Sequence, residues 1–186
     1  LVSPWGHQTS TVSGAGVECS PLRDAMAAEA EAEQRKHDAA LASSAQDGNE
    51  SGVRAALEAG ASPSAKRTDI NVGWPAAVLA ADAKHWGVVR ILAEADADLG
   101  ATTPGGETVL FKAAAKGAPT ETVRLLLDRS ADPNTRANNG ATAVCTAAEG
   151  GHGDIIRLLL ERKADPELAP HDTGSTPLIV AAQKDF

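Results

Sequence analysis

The side chains with chemistry to offer are five histidines, two cysteines and two glycine pairs, and their spacing argues against a catalytic centre. His7, His37, His85, His152 and His171 are scattered along the chain. His85 and His152 fall in the same slot of a recurring pattern, about two repeats apart, too far to share a metal at ~2 Å bonds. Both are expected to be structural turn residues. Cys19 and Cys145 match no metal-binding spacing, and two cysteines are too few for a disulfide framework. Cys145 reads as helix packing, since a free cysteine behaves as a small hydrophobe. Cys19 has no neighbour that would lower its pKa. Gly105-Gly106 and Gly150-Gly151 lack the following Lys-Ser/Thr that a phosphate loop needs. The charge run over residues 29–36 reads as a solvated helix face. No catalytic residue, metal ligand or cofactor site is therefore expected, and the chain does not read as an enzyme.

The elements that carry these residues follow from composition and period. Hydrophobic residues make up 42% of the 186, but aromatics only 3%, with no tyrosine. Alanine and leucine must fill the core, which suits closely stacked helices better than a sheet. Four arginines give a register: Arg54, Arg90, Arg124 and Arg157, separated by 36, 34 and 33 positions. Each opens a similar run, from Arg54-Ala-Ala-Leu57 to Arg157-Leu-Leu-Leu160. A stop follows at Ala61-Ser62-Pro63, Ala97-Asp98-Leu99, Ala131-Asp132-Pro133 and Ala164-Asp165-Pro166. Upstream of each arginine lies a small-residue helix ending in paired or near-paired alanines: 41–45, 77–81, 110–114 and 144–148. A fifth copy, 178–182, has no second helix after it. Thr108, Thr142 and Thr176 recur at intervals of 34, where a threonine caps or braces the entry turn. Because one helix pair cannot bury its apolar face alone, such copies must stack. Ala113, Ala114, Ala147, Ala148, Ala181 and Ala182 are expected where neighbouring first helices approach most closely.

This period, with two short helices and a turn per copy, resembles the ankyrin repeat family. Thr176-Pro177-Leu178 is similar to the family's Thr-Pro-Leu-His element, with Ile179 in place of the histidine, which no copy keeps. Gly151-His152 and Ala131-Asp132-Pro133-Asn134 are similar to its inter-helix turn and repeat ending, and one extra residue stands around Ala118-Pro119-Thr120. The resemblance implies an all-α, ankyrin-type helical repeat solenoid of four helix pairs plus a partial fifth. Expected boundaries are 38–67, 68–101, 102–135, 136–169 and a partial 170–186, together a repeat domain over 38–186.

Ahead of it, residues 1–20 read as an extended tail, rich in Ser, Thr and Gly. Residues 21–37 read as a helix continuing into the first repeat. Ser20-Pro21 suits a helix start, and Glu31 and Arg35 stand four apart in the favourable order. The bland role for this segment is an end cap; the sharper one is an arm that holds a partner. The chain begins at Leu1 rather than Met and ends just after an apolar run with no cap, so it is expected to be a fragment, a processed product or only part of the natural chain.

The family resemblance implies a non-catalytic scaffold that binds partner proteins through the inter-repeat fingers and the concave side of the first helices. On that face the expected contact residues are Ile70, Val72, Trp74, Thr102, Thr103, Arg136, Asn138, Asn139, His171 and Asp172, with Asp82, Lys116 and Glu149 at the helix ends beside them. The first finger, residues 66–74, is the longest and carries apolar residues at alternate positions. A tryptophan there has the chemistry of a binding hot spot; Trp86 reads as half-buried packing. Two other readings are an accessory subunit of a larger, organellar or membrane-bound assembly tethered by the N-terminal arm, and the regulatory region of an enzyme whose catalytic domain lies outside this chain. The formal charge of −8 argues against nucleic-acid partners, which require a basic face. No apolar run approaches the ~18–20 residues of a membrane span. An intracellular site is expected, the cytoplasm first and an organelle as the alternative.

Overall fold

The computed structural model describes residues 20–68, 73–170, 176, 177, 179 and 182. Eight helices with full bounds among the described residues are laid out in pairs: α1 (Ser20–Asp47) with α2 (Glu50–Glu58), α3 (Ala76–Asp82) with α4 (Trp86–Glu94), α5 (Val109–Lys116) with α6 (Thr120–Asp128), and α7 (Ala143–Gly150) with α8 (Gly153–Glu161). First helices pack on first helices (α1 on α3, α3 on α5, α5 on α7), and second on second (α2 on α4, α4 on α6, α6 on α8). Two layers result, with the main core between them. Pro177, Ile179 and Ala182 are helical, in the place of a fifth first helix.

The core is built as the alanine content predicts. Of the alanines expected at the close approach, Ala113, Ala114, Ala147 and Ala148 are essentially inaccessible, as are Ala80 and Ala81, so α3, α5 and α7 pack closely. Ala182 is exposed instead, a correction to its expected place, and Ala181 lies outside the described residues. Leu92, Leu126 and Leu159 of the second helices, with Val53, Val89 and Val123, fill the space behind them. Each buried leucine removes enough apolar area to contribute roughly 1.5–3 kcal/mol. The registered arginines face outward and are exposed.

Every pair closes with two left-handed residues. After the first helices these are Gly48, Lys84, Gly117 and Gly151, with φ between 63° and 72°. After the second helices they are Gly60, Asp96, Ser130 and Lys163. The stop motif then folds the chain back: the side chains of Asp98, Asp132 and Asp165 accept from the amide two residues on, in Gly100, Asn134 and Glu167. Such Asx turns are what this residue type favours. The extra residue expected near Pro119 sits in the α5–α6 turn, where Ala118 separates Gly117 from the cap position.

The helix expected over 21–37 and the first helix of the first repeat form one element, α1. Its residues 25–36 are exposed, and it meets the stack further on, where Gln34 donates to the Gly60 carbonyl and Asp38 accepts from the Ser62 amide. The arm carries surface ion pairs, Glu31 with Arg35 and Glu33 with Lys36. The Lys36 hydrogen bond and charge hold the Glu33 carboxyl below its ordinary range. The residue 1–19 tail lies outside the described residues. No helix among the described residues is long and apolar enough to cross a membrane.

Candidate functional site

The fingers grow from the chain between one stop motif and the next first helix. In the first, Lys66 bridges Pro75, and the Arg67 amide donates to the Trp74 carbonyl at 2.9 Å. In the second, the Thr103 amide donates to Glu107, and in the third the Ala137 amide donates to Ala141, at 3.0 and 2.9 Å. Gly73, Gly106 and Gly140 supply the positive φ that these tight turns require.

Polar residues expected to meet a partner turn out to hold the fingers themselves. Thr103 is buried (4% exposed), and its hydroxyl accepts from the amides of Gly105 and Glu107. This is a correction to its expected place on the contact surface: a threonine two residues before a Gly-Gly turn is drawn inward to satisfy the turn's own amides. Asn138 is exposed yet staples the third finger to the second, its amide donating to the Gly105 carbonyl and its Nδ2 to the Pro104 carbonyl. Asn139 accepts from the Ala141 amide, and Arg136 donates to the Ala169 carbonyl at 2.9 Å. Thr102 is half-buried. Ile70, Val72, His171 and Asp172 lie outside the described residues.

Trp74 is where a solvent-facing tryptophan was expected, but it is half-buried and packs against the core. The ammonium of Lys112, on α5, stands 5.1 Å from its ring centroid. Lys112 also pairs with Glu107 at 2.9 Å and with Asp82 at 3.4 Å; Lys116 pairs with Asp82 at 3.2 Å. A Trp ring and an alternating row of four charges thus span the second and third repeats. Lys112 is only 13% exposed along its side chain. Sequence reasoning placed Asp82 and Lys116 beside the fingers but missed Lys112 and Glu107. The signal available was Glu107 just ahead of α5, five positions before Lys112, but without the stack nothing showed that Trp74 lies beneath it.

The conserved architecture of the copies is matched by a family pattern. The model described as Ankyrin repeats (3 copies) matches residues 40–137 and again 110–186, together well over half of the chain. The chain belongs to the ankyrin repeat family. No match is found among curated proteins. As an ankyrin repeat protein it departs from the pattern where the Thr-Pro-Leu-His histidine would stand. The register puts Val78, Phe111, Cys145 and Ile179 in that slot. Phe111 and Cys145 gather with Ala137 and Ala141 into a small apolar cluster apart from the main core. The Cys145 thiol donates to the Leu168 carbonyl at 3.0 Å and its sulfur lies 3.4 Å from the Thr142 hydroxyl, so the base of the third finger is secured by apolar packing and these two sulfur hydrogen bonds. His85 and His152 take the turn role expected of them, each imidazole lying against a glycine of the preceding repeat. Among the described residues no group of His, Cys, Asp and Glu has metal-site geometry. Ankyrin repeats are in general protein–protein interaction modules.

Proposed function

We propose that this chain is a non-catalytic scaffold that binds partner proteins across the face made by its fingers and first helices. The observation that carries this reading is the Trp74 platform. A large aromatic, flanked by the Glu107–Lys112–Asp82–Lys116 row, lies on a surface whose other fingers are tied down by their own hydrogen bonds. A face fixed in advance loses little conformational freedom on docking, which favours affinity. Tryptophan at such a place typically dominates the binding energy. On the same reading the repeat domain is residues 38–186, with the tail over 1–20 and the helix over 21–37 lying outside it, and Arg136, Asn138, Asn139 and Thr102 form the rim.

The test is co-purification on immobilised chain, comparing the wild type with Trp74→Ala and with Arg90→Ala on the opposite, second-helix face. A protein retained by wild type and Arg90→Ala, and lost at least about ten-fold by a folded Trp74→Ala, is the expected result. Equal retention by Trp74→Ala overturns the choice of face.

A further inference from the structure

The Trp74 platform has the composition of a receptor for a cation. An indole face attracts an ammonium or guanidinium through its quadrupole, the more so when the site is screened from water. Two carboxylates, Asp82 and Glu107, converge on the same point, each within ion-pair distance of one nitrogen. In the free chain that nitrogen is Lys112 Nζ, which makes all three contacts at once: the ring at 5.1 Å, Glu107 at 2.9 Å and Asp82 at 3.4 Å. Lys112 reaches the site from α5, Asp82 from the end of α3, and Trp74 from the first finger. Asp82 is the more open of the two acids, 39% exposed, and it also holds Lys116.

The geometry points to a basic side chain of a partner protein, arginine or lysine, binding at Trp74, Asp82 and Glu107 by displacing Lys112 as an internal stand-in. This inference rests on the reading of the finger face as the partner surface and adds the chemistry of what docks there. A guanidinium is the better competitor, because its planar fork reaches two carboxylates while stacking on the ring. Lys112 is then free to turn to solvent on its flexible stem, at little cost to the fold. The chain's formal charge of −8 also steers a basic partner towards it, a long-range effect that salt weakens.

The experiment measures binding of a fluorescein-labelled arginine-rich peptide, Gly-Arg-Gly-Arg-Gly, by fluorescence polarisation at fixed salt. Lys112→Met vacates the site while keeping an unbranched stem, and should bind the peptide roughly ten-fold tighter than the wild type. Adding Trp74→Leu, or Asp82→Asn with Glu107→Gln, to Lys112→Met should return binding to the wild-type level or below. Circular dichroism verifies each fold, and Lys112→Gln, which keeps hydrogen-bond donors to both acids, replaces Lys112→Met if that chain does not fold. The inference is overturned if vacating the site leaves affinity unchanged, or if the gain survives Trp74→Leu and so reflects net charge alone. If Trp74→Ala loses a natural partner but the peptide shows no gain on Lys112→Met, the finger face stands and the cation falls.

Discussion

The imidazole of His152 occupies the space that a side chain at Gly117 would need: a Cβ built there would lie 2.6 Å from His152 Cε1. The same relation links His85 to Gly48, where a Cβ would fall 2.5 Å from Nδ1. Both glycines are also left-handed, with φ of 68° and 72°. Gly60 is left-handed as well, at φ 93°, but a Cβ there would meet nothing within 4 Å. Glycine therefore serves two separable purposes in this chain, backbone freedom alone at Gly60 and freedom plus vacant space at Gly117.

Replacing each with alanine separates the two. Gly60→Ala carries only the left-handed strain, about 1 kcal/mol. Gly117→Ala must in addition push His152 out of its turn, and should cost about 2 kcal/mol or more. Urea denaturation of the two variants measures the difference. Equal losses would mean that the imidazole moves aside freely and holds nothing.

Lys84 occupies the same left-handed position as Gly48 and Gly117, with φ 63°. The next turn in the stack carries Ala118-Pro119 in place of a histidine, so by register no imidazole demands a glycine at position 84. The strain of a lysine there is tolerated but not relieved. Lys84→Gly should stabilise the fold by about 0.5–1 kcal/mol, the relief of strain exceeding the added freedom of the unfolded chain. A lower thermal midpoint for Lys84→Gly would show that the lysine makes a compensating contribution.

In two places a stop motif is tied to the next by the side chain two positions after its Ala-Ser or Ala-Asp. Ser64 accepts from the Asp98 amide at 2.8 Å, and Asn134 accepts from the Asp165 amide at 2.7 Å while donating to the Lys163 carbonyl. Gly100 stands in this position in the second repeat and has no side chain to offer. Its φ is not positive, and Asn134 shows that the same Asx turn accommodates asparagine. Gly100→Asn should therefore stabilise by about 1 kcal/mol, combining lower unfolded-state entropy with a new hydrogen bond to the third repeat. Gly100→Ala, which supplies the first effect alone, should give a smaller gain. If the two variants are equally stable, the asparagine bond contributes nothing net.

What the sequence made legible was whatever the stack repeats. Stacking imposes the same demand every 33 to 36 positions, burial on the paired alanines and a turn at the Ala-Asp-Pro stops, while the arginines recur on the exposed side of the second helices, so all three stand out when the chain is laid on itself. His85 and His152 could be assigned to turns for the same reason. Residues that act once were not legible in that way. Trp74 and Lys112 are 38 positions apart and meet only because α5 stacks on α3, which fixes the side of α5 that faces the first finger. Asn138 and Arg136 were read as surface residues from their types. Their actual partners are the carbonyls of Pro104, Gly105 and Ala169, and a carbonyl has no sequence signature.

Ala148 is 1% exposed on α7, beside Ala147; α7 packs on α5, whose Ala113 and Ala114 are fully buried. A leucine at 148 adds three carbons where first helices have no slack, and close-packed interiors relax little. Ala148→Leu should cost about 1–3 kcal/mol, by forcing neighbouring side chains off their rotamers or the helices apart. Ala55 gives the control: it is also helical, on α2, but exposed, and Ala55→Leu should change stability by less than about 0.5 kcal/mol. Both are read by urea denaturation, with the slope showing whether compactness is preserved. Equal effects at the two positions would place the close approach of the first helices somewhere other than at the paired alanines.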